Sequence, residues 1–383
     1  MNEVCIVAAQ RTPQGKFLGA LQNQTAVDLA THAGAATLRG IGAENIDQLI
    51  IGNVLSAGQG MNIARQIGVR LGLPLSVPAF TVNMMCASGM QAVILAAQAI
   101  RAGEARVVLC GGTESMSNAP YLLPRARTGY KLGDATVQDS LLGDGLVDAF
   151  DHEHMALSTE RLAAHYQISR TEQDAFAARS QQRYAAAHAA GTFAAELVTV
   201  GKLDRDEHPR PETTVETLSK LKPSFKPDGT ITAGNASGIN DGASLLVVCD
   251  HRRALEKGWP VLAKIRASAS IGCDPKWMGL GPVHATRRLC EQSGLTPDQF
   301  DSVEINEAFA AQTLACLREL QLDENRVNPH GGAIALGHPI GASGARLITH
   351  LAHCIAQGKS NLALATLCVG GGMGSAVALA RAD

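Results

Sequence analysis

The sequence contains few aromatic residues. Of its 383 residues only 4% are Phe, Trp or Tyr, whereas 46% are hydrophobic and 39 are glycine. Hydrophobic cores built mainly from aromatic side chains are therefore excluded. We expect cores of Ala, Val, Ile and Leu in which neighbouring backbone segments approach closely. The chain is too long for one ordinary domain, and its length predicts two or three domains.

The sequence also lacks a strong charge bias and a long hydrophobic run. The formal net charge is −2, which provides no basic field for nucleic acid. No apolar run reaches the roughly 18–20 residues needed to span a bilayer. The first residues, MNEVCIVAAQRTP, are typical of a strand rather than of a signal peptide. We therefore expect a cytoplasmic protein that binds neither nucleic acid nor membranes.

The spacing of the cysteines matches neither a metal-binding motif nor a disulfide framework. The nine cysteines include no CxxC pair, and several, such as Cys110 and Cys249, lie in apolar runs typical of buried thiols in a reducing compartment. His152 and His154 share one face of a short segment, but no further ligands converge on them in sequence. We expect no metal site and no permanently bound cofactor.

Alternating hydrophobic patterns predict an α/β architecture with mainly parallel strands. The pattern predicts helices at 25–39, 90–100, 158–166, 171–190 and 342–356. It predicts strands at 4–9, 49–54, 106–110, 240–250 and 362–367. The strand at 106–110 is expected to end at the pair Gly111-Gly112.

The second half of the sequence repeats the first at a nearly constant offset. Ala87-Ser-Gly89 matches Ala342-Ser-Gly344 at an offset of 255, and the same offset pairs residues 97, 100, 103 and 109 with 352, 355, 358 and 364. Slightly earlier, Gly40 and Asp47 match Gly294 and Asp301 at an offset of 254. This repetition predicts two similar α/β halves.

A more polar stretch interrupts the first half. Residues 116–239 contain basic residues, two polar helices and a charged segment with prolines, and are interpreted as an inserted domain. The predicted division is therefore 1–115 with 240–260 as the first half, 116–239 as the inserted loop domain, and 261–383 as the second half.

The repeated motif brings two reactive residue types into equivalent places. Cys86 directly precedes the first Ala-Ser-Gly, and His338 lies four residues before the second, in the glycine-rich stretch NPHGGAIALGHPIGASG. If the halves pack about a pseudo-twofold axis, two helix N-termini present a thiol and an imidazole to one site. We expect the helix end and the histidine to lower the Cys86 pKa below the ~8.5 of a free cysteine.

Three separated motifs resemble those of the thiolase family along the whole chain. They are Asn83-Met-Met-Cys-Ala-Ser-Gly89, then Asn306-Glu-Ala-Phe309 with GGAIALGHPIGASG, and finally Cys368-Val-Gly-Gly-Gly-Met-Gly374. The thiolase fold likewise has two duplicated α/β halves packed together, with a loop domain inserted in the first. A dinucleotide phosphate loop at the last glycine run is excluded, because too few residues follow to complete a βαβ unit.

The resemblance implies a role for each motif residue. Cys86 would be the nucleophile that carries the acyl group as a thioester, and His338 would activate it and help to bind the thioester oxyanion. Cys368 would move a proton at the α-carbon or on the coenzyme A (CoA) sulfur. Asn306 would orient a water molecule for one oxyanion hole, and the backbone N–H groups of Cys86 and Gly370 would form the other.

The same resemblance implies a CoA site, with CoA acting as substrate and product. The implied substrate-binding residues are Ser237, His154, Met155, Arg210, Phe225, Met278 and Phe309. Four residues depart from the usual thiolase pattern, namely Ala87, Ala156, His284 and His330. None of the four removes a catalytic group, but they leave the preferred acyl chain length open.

The resulting interpretation is an acetyl-CoA acetyltransferase that reversibly condenses two acetyl-CoA to acetoacetyl-CoA and CoA, or cleaves 3-ketoacyl-CoA in reverse. The alternatives are a broad-chain 3-ketoacyl-CoA thiolase, a ketosynthase-like condensing enzyme, and a non-catalytic acyl-CoA or lipid-binding protein on the same fold. Cys368 argues against the ketosynthase, which would carry a second catalytic histidine. The resemblance further implies a homotetramer, with Arg125, Arg127 and Lys131 in the loop that joins dimers.

Overall fold

The protein is built around a ten-stranded mixed sheet, seen in a computed structural model that describes residues 3–382. The strands are β1 (Val4–Arg11), β2 (Gly15–Lys16), β3 (Gln48–Gly52), β4 (Ala79–Val82), β5 (Val107–Ser115), β6 (Tyr121–Leu122), β7 (Gln138–Asp139), β8 (Asn240–Asp250), β9 (Ala263–Gly272), β10 (Ser302–Ile305), β11 (Leu362–Val369) and β12 (Met373–Ala380). The α-helices are α1 (Ala26–Thr37), α2 (Ile63–Arg70), α3 (Ser88–Ala102), α4 (Met155–His165), α5 (Arg170–Ala189), α6 (Val215–Ser219), α7 (His251–Lys257), α8 (Gly281–Ser293), α9 (Ala310–Leu320), α10 (Ala333–Leu336) and α11 (Ile340–Ala356).

The prediction of mainly parallel strands is wrong. The sheet order is β10-β11-β12-β9-β1-β8-β5-β3-β4, with β2 beside β8, and β6 and β7 pair separately. Only β3 with β4, β3 with β5, and β10 with β11 are parallel, whereas β8 and β12 are antiparallel to both of their long neighbours. The turn Gly370–Gly372 is too short for a crossover helix, so β12 must return antiparallel to β11.

The sheet shows the predicted duplication directly. The order β3-β5-β8-β1 in the first half matches β10-β11-β12-β9 in the second, and each equivalent pairing has the same direction. The halves join where β1 pairs antiparallel with β9. Residues 116–239 occupy the connection between β5 and β8, which in the second half is only the glycine turn between β11 and β12.

Helices cover both faces of each half of the sheet. α3 and α11 share a core with strands of both halves, including Ile6, Val108 and Leu367. α1 and α2 pack on the other face of the first half, and α8 and α9 on the other face of the second. α3 and α11 thus pack in one core with strands of both halves, and the first three residues of each helix are buried.

Most predicted elements lie within a few residues of the observed ones. The strand at 240–250 is confirmed as Asn240–Asp250 and is fully buried, as its unbroken apolar pattern requires. The expectation that a strand ends at Gly111-Gly112 is wrong, because β5 continues to Ser115. β11 likewise extends to Val369, so Cys368 lies within the strand rather than after it.

The two Ala-Ser-Gly motifs form the contact between α3 and α11. A Cβ atom at Gly89 would lie 3.0 Å from the Cβ of Ala345, and one at Gly344 would lie 2.7 Å from the backbone nitrogen of Met90. Gly89 is equivalent to Gly344 and Met90 to Ala345, so the contact is symmetric. Glycine at both positions therefore allows the two helix starts to touch.

Among the described residues, 3–382, no helix combines the length and the apolar content needed to cross a bilayer.

We predict that Gly344→Ala lowers the free energy of unfolding by about 1–3 kcal/mol, because the added methyl group overpacks a contact with backbone atoms. This loss should exceed the gain of up to about 1 kcal/mol that alanine gives in a helix interior. Gly143→Ala is the control, since no atom lies within 4 Å of its added Cβ. Urea unfolding should show a lower midpoint for Gly344→Ala alone, and equal midpoints would contradict the close contact.

Candidate active site

Cys86 lies in a tight turn directly before α3. The Ala87 N–H donates to Met84 O at 3.0 Å, and the Ser88 hydroxyl donates to Met85 O at 2.7 Å. Met85 has a φ of 46°, a left-handed conformation that residues other than glycine seldom adopt. The turn holds the thiol at the N-terminal end of the helix, where it lines a cavity.

His338 lies two residues before α11, and its hydrogen bonds determine its tautomer. Its Nδ1 is 2.5 Å from Ser343 Oγ, and the Ser343 hydroxyl donates to Pro339 O at 2.9 Å. Because the hydroxyl proton is used for Pro339, Ser343 accepts from the Nδ1–H of His338. The Nε2 atom therefore carries the lone pair, with Asn306 Nδ2 3.4 Å away. Neutral His338 is thus oriented as a base.

The pKa expected for Cys86 is wrong in direction. Burial raises the pKa of the Cys86 thiol to about 11, an effect larger than the lowering by backbone hydrogen bonds from Gly370 and from Cys86 itself. Burial also lowers the pKa of His338 to about 3, with a smaller contribution from Arg346. A lowered Cys86 pKa was expected, but with these pKa values both groups are neutral near pH 7, because burial disfavours the charged form of each.

Cys368 and Gly370 approach Cys86 from the end of β11. The pKa of Cys368 is raised well above its ordinary value, first by burial and then by the neighbouring Cys86. Burial raises the pKa of Cys86, whereas the backbone N–H groups of Gly370 and of Cys86 itself lower it. A Cβ at Gly370 would lie 3.1 Å from the Met155 sulfur. Both backbone N–H groups therefore lie near the Cys86 sulfur.

The sequence analysis missed Glu114, which connects both halves of the site. Its carboxylate accepts from the N–H groups of Val54 and Leu55, at 3.0 and 3.2 Å, and from that of Gly341 in α11 at 3.0 Å. Burial raises its pKa to about 7. The sequence signal that could have identified Glu114 was an acidic residue close to the apolar segment that begins β5.

Glu307, also missed, fixes the segment that carries Asn306. It accepts from the Ser180 hydroxyl and from Asn328 Nδ2, both at 2.7 Å, and from the Ile334 N–H at 3.1 Å. Burial raises its pKa as well. Glu307 thus joins the end of β10 to the loop that leads to His338.

The predicted site residues meet in one cavity of about 470 Å³, a volume typical of small-molecule sites. All of them line it except Asn306, which contacts the His338 ring instead. The cavity is lined by Cys86, His338, Cys368, Gly370, Ser237, His154, Met155, Arg210, Phe225, Met278 and Phe309. Further lining residues that the sequence analysis missed are Met116, Leu142, Leu146, His208, Ser224 and Ile239.

The inserted residues provide the outer part of this cavity. His154 stacks on Phe225 with ring centroids 4.5 Å apart. Arg210 and His208 also line an adjoining cavity of about 260 Å³, so they lie where the two spaces meet. Burial lowers the pKa of His208 to about 4, with Arg210 adding to the effect. The site is therefore an apolar passage with reactive thiols inside and a cationic residue farther out.

Comparison with known proteins gives matches over the whole chain. The family model "Thiolase, N-terminal domain" matches residues 4–252, and "Thiolase, C-terminal domain" matches residues 259–381. An "Acetyl-CoA acetyltransferase" from Pseudomonas aeruginosa is 50% identical and covers 100% of both chains. A "Probable acetyl-CoA acetyltransferase" from Escherichia coli is 48% identical, again over 100% of each.

Solved structures agree with these relatives. A crystal structure of human mitochondrial 3-ketoacyl-CoA thiolase superposes with a TM-score of 0.97 at 44% identity, covering 100% of this chain and 99% of the other. A second structure of that protein, in complex with CoA, has the same TM-score and identity and covers 98% of the other chain. The resemblance seen in the three motifs is confirmed, and the chain belongs to the thiolase family.

Proposed function

We propose that the protein condenses two molecules of acetyl-CoA to acetoacetyl-CoA and CoA, reversibly, through an acetyl group carried on Cys86. The observation that carries this proposal is the convergence of Cys86, His338, Cys368 and Gly370 at one apolar cavity. The names of the relatives support acetyl transfer in particular.

In the first half-reaction the Cys86 sulfur attacks the thioester carbonyl of acetyl-CoA. His338 Nε2 accepts the thiol proton, Cys368 gives its proton to the departing CoA sulfur, and CoA leaves as a thiol. One thioester bond breaks and one forms. Proton transfer from Cys86 accompanies the attack, because both groups are neutral beforehand.

In the second half-reaction the Cys368 thiolate removes a proton from the methyl group of a second acetyl-CoA. The resulting carbanion attacks the acetyl group on Cys86, forming the new carbon–carbon bond. Cys86 leaves as a thiolate and recovers its proton from the His338 imidazolium. All three residues return to their starting protonation states, so the cycle closes.

Two groups of hydrogen-bond donors stabilise the negative oxygens formed on the way. The N–H groups of Cys86 and Gly370 would bind the oxygen of the acyl group on Cys86. Once protonated, His338 Nε2–H would donate to the enolate oxygen of the second acetyl-CoA. Asn306 would assist by orienting a water molecule, as expected from the family.

The pantetheine arm of CoA would occupy the apolar passage lined by Phe225, Met278, Phe309 and Met155, beside Ser237. His154 stacks on Phe225 and helps to shape this wall. Arg210 lies at the outer end, where a guanidinium could pair with a phosphate of the nucleotide.

A preference for longer 3-ketoacyl-CoA substrates is the second candidate, because the superposed human structures bear that name. A thiolysis series with CoA and 3-ketoacyl-CoA of increasing chain length distinguishes the two. We expect the highest kcat/KM for acetoacetyl-CoA, and a maximum at longer chains would assign the enzyme to the broad-chain class instead.

We further propose a cytoplasmic homotetramer, a dimer of dimers joined through residues 116–150. Large apolar side chains are exposed there, notably Leu132, Phe150 and Tyr121, beside the basic residues Arg125 and Lys131. All nine cysteines are free thiols, as suits a reducing compartment. Light scattering should give four times the chain mass, and a fully active monomer would contradict the assembly.

We predict that incubation with acetyl-CoA places an acetyl group on Cys86, because this thiol lines the cavity beside the proposed oxyanion donors of Gly370 and Cys86 itself. Peptide mass analysis after acid quenching identifies the modified residue. Cys86→Ala should abolish turnover and leave CoA binding nearly intact, whereas Cys290→Ala, outside the cavity, should change neither. An acetyl group found only on another cysteine would overturn the assignment.

We predict that Cys368→Ser affects the two half-reactions unequally. A hydroxyl has a much higher pKa than a thiol and is a weaker proton donor and acceptor. Acetylation of Cys86 should slow but stay measurable, while condensation, which needs carbon deprotonation, should fall much further. Quenched-flow mass spectrometry and steady-state rates measure the two steps. Equal losses, or losses below about tenfold in both (about 1.4 kcal/mol), would refute this role.

We predict that Ser343→Ala slows acetylation of Cys86 about tenfold to a hundredfold, since a buried donor losing its acceptor costs ~1–3 kcal/mol. The ¹⁵N shifts of His338 should show loss of the pure Nδ1–H tautomer. Ser293→Ala is the matched control, because Ser293 donates to Leu289 O four residues earlier, as Ser343 does to Pro339 O. An unchanged tautomer and rate would show that Ser343 does not position His338.

A further inference from the structure

A second group of histidine and cysteine side chains lies away from the cavity. His330 Nδ1 is 2.9 Å from His350 Nε2, and Cys354 Sγ is 3.6 Å from His350 Nε2 and 4.0 Å from His330 Nδ1. None of the three lines the active-site cavity. Two histidine nitrogens and a thiol sulfur therefore converge without a part in the proposed reaction.

The local structure accounts for this convergence. His350 and Cys354 are four residues apart on α11 and so share one face of the helix. His330 comes from the loop before α10, in the segment that leads to His338. His350 and Cys354 are buried, with 3% and 4% of their surfaces exposed, while His330 is half-buried. The two side chains on α11 are therefore shielded from solvent, and solvent can reach the cluster on the side of His330.

The spacing of these atoms fits a tetrahedral metal ion. Zinc bonds of about 2.0–2.1 Å to nitrogen and about 2.3 Å to sulfur place neighbouring ligand atoms roughly 3.3–3.6 Å apart in a tetrahedron. The observed separations of 2.9, 3.6 and 4.0 Å reach those values with movements of a few tenths of an ångström. Two imidazoles and a thiolate are ligands that zinc prefers.

A carboxylate behind the cluster strengthens the argument. Glu196 Oε2 lies 2.9 Å from His350 Nδ1, and Arg11 Nε donates to Glu196 Oε1 at 2.7 Å. All three are almost completely buried. A carboxylate that accepts from the outer nitrogen of a histidine directs its other nitrogen to the metal and increases its basicity. Here the outer nitrogen is Nδ1, and Nε2 points into the cluster.

We propose that His330, His350 and Cys354 bind a thiophilic divalent cation, zinc in the first instance, with Glu196 orienting His350 and water as the fourth ligand. On binding, Cys354 gives up its thiol proton to solvent, and the cation replaces the proton now shared by the two ring nitrogens. The ion joins the loop containing His330 to α11. Its role is structural, and it takes no part in the reaction at Cys86.

The first test is zinc content and affinity. Purified protein, stripped with a chelator and reloaded with zinc sulfate, should retain one zinc ion per chain after gel filtration. Cys86→Ala serves as the reference, because the active-site thiols could also take up zinc. It should still retain one ion, and a reference variant that retains none would overturn the proposal.

Substitutions then locate the ion. In the Cys86→Ala background, Cys354→Ser and His330→Asn should each weaken zinc binding at least a hundredfold in competition with a chromophoric chelator. Glu196→Gln should weaken it about 10–100-fold, as expected for a residue that supports a ligand. Cys290→Ser, a half-buried cysteine far away in sequence on α8, should have no effect. Equal affinity in Cys354→Ser and Cys290→Ser would overturn the site.

Cobalt substitution tests the site without altering any of its three proposed ligands. The Co²⁺ form of Cys86→Ala should show a thiolate-to-cobalt charge-transfer band and the intense visible bands of a tetrahedral ion. Their absence would leave the three side chains as a hydrogen-bonded network and contradict the proposal. With Cys86 intact, Cys354→Ser should condense acetyl-CoA at the unaltered rate, which separates a failure here from a failure of the proposed function.

Discussion

The structure depends on the contact between the N-terminal ends of α3 and α11. Gly89 and Gly344, equivalent residues of the duplicated halves, allow the two helix starts to approach within van der Waals distance. Each helix start is preceded by one reactive side chain, Cys86 on one and His338 on the other. A single helix end would provide only one of these groups, so the site requires both halves of the chain.

Burial at this contact determines the chemistry. Both groups are buried, which raises the pKa of Cys86 and lowers that of His338. The resting site is therefore a neutral thiol beside a neutral imidazole that is held in one tautomer by Ser343. In the reaction proposed above, the Cys86 thiol therefore loses its proton only as it attacks the thioester.

The sequence predicted the duplication and the insertion, and all its candidate site residues except Asn306 line one cavity, because these features depend on recurring local motifs. Ala-Ser-Gly identified both helix starts, and the apolar runs located five of the twelve strands in the described residues. The strand directions were predicted wrongly, since β8 pairs with β1 and β5 from distant parts of the sequence and β12 returns from β11 through a turn of three glycines. Glu114 and Glu307 were missed because their partners, such as Val54 and Ile334, lie many residues away. The pKa of Cys86 was misjudged for the same reason, as burial depends on the packed halves.

The central claim is that Cys86 is a protonated thiol at rest. The most direct measurement is the rate at which iodoacetamide alkylates Cys86, followed by peptide mass analysis from about pH 6 to pH 10. A raised thiol pKa predicts a rate that climbs roughly tenfold per pH unit across the whole range, because the thiolate fraction does so below its pKa. A rate that has already reached a plateau near neutral pH would show a resting thiolate and contradict the account.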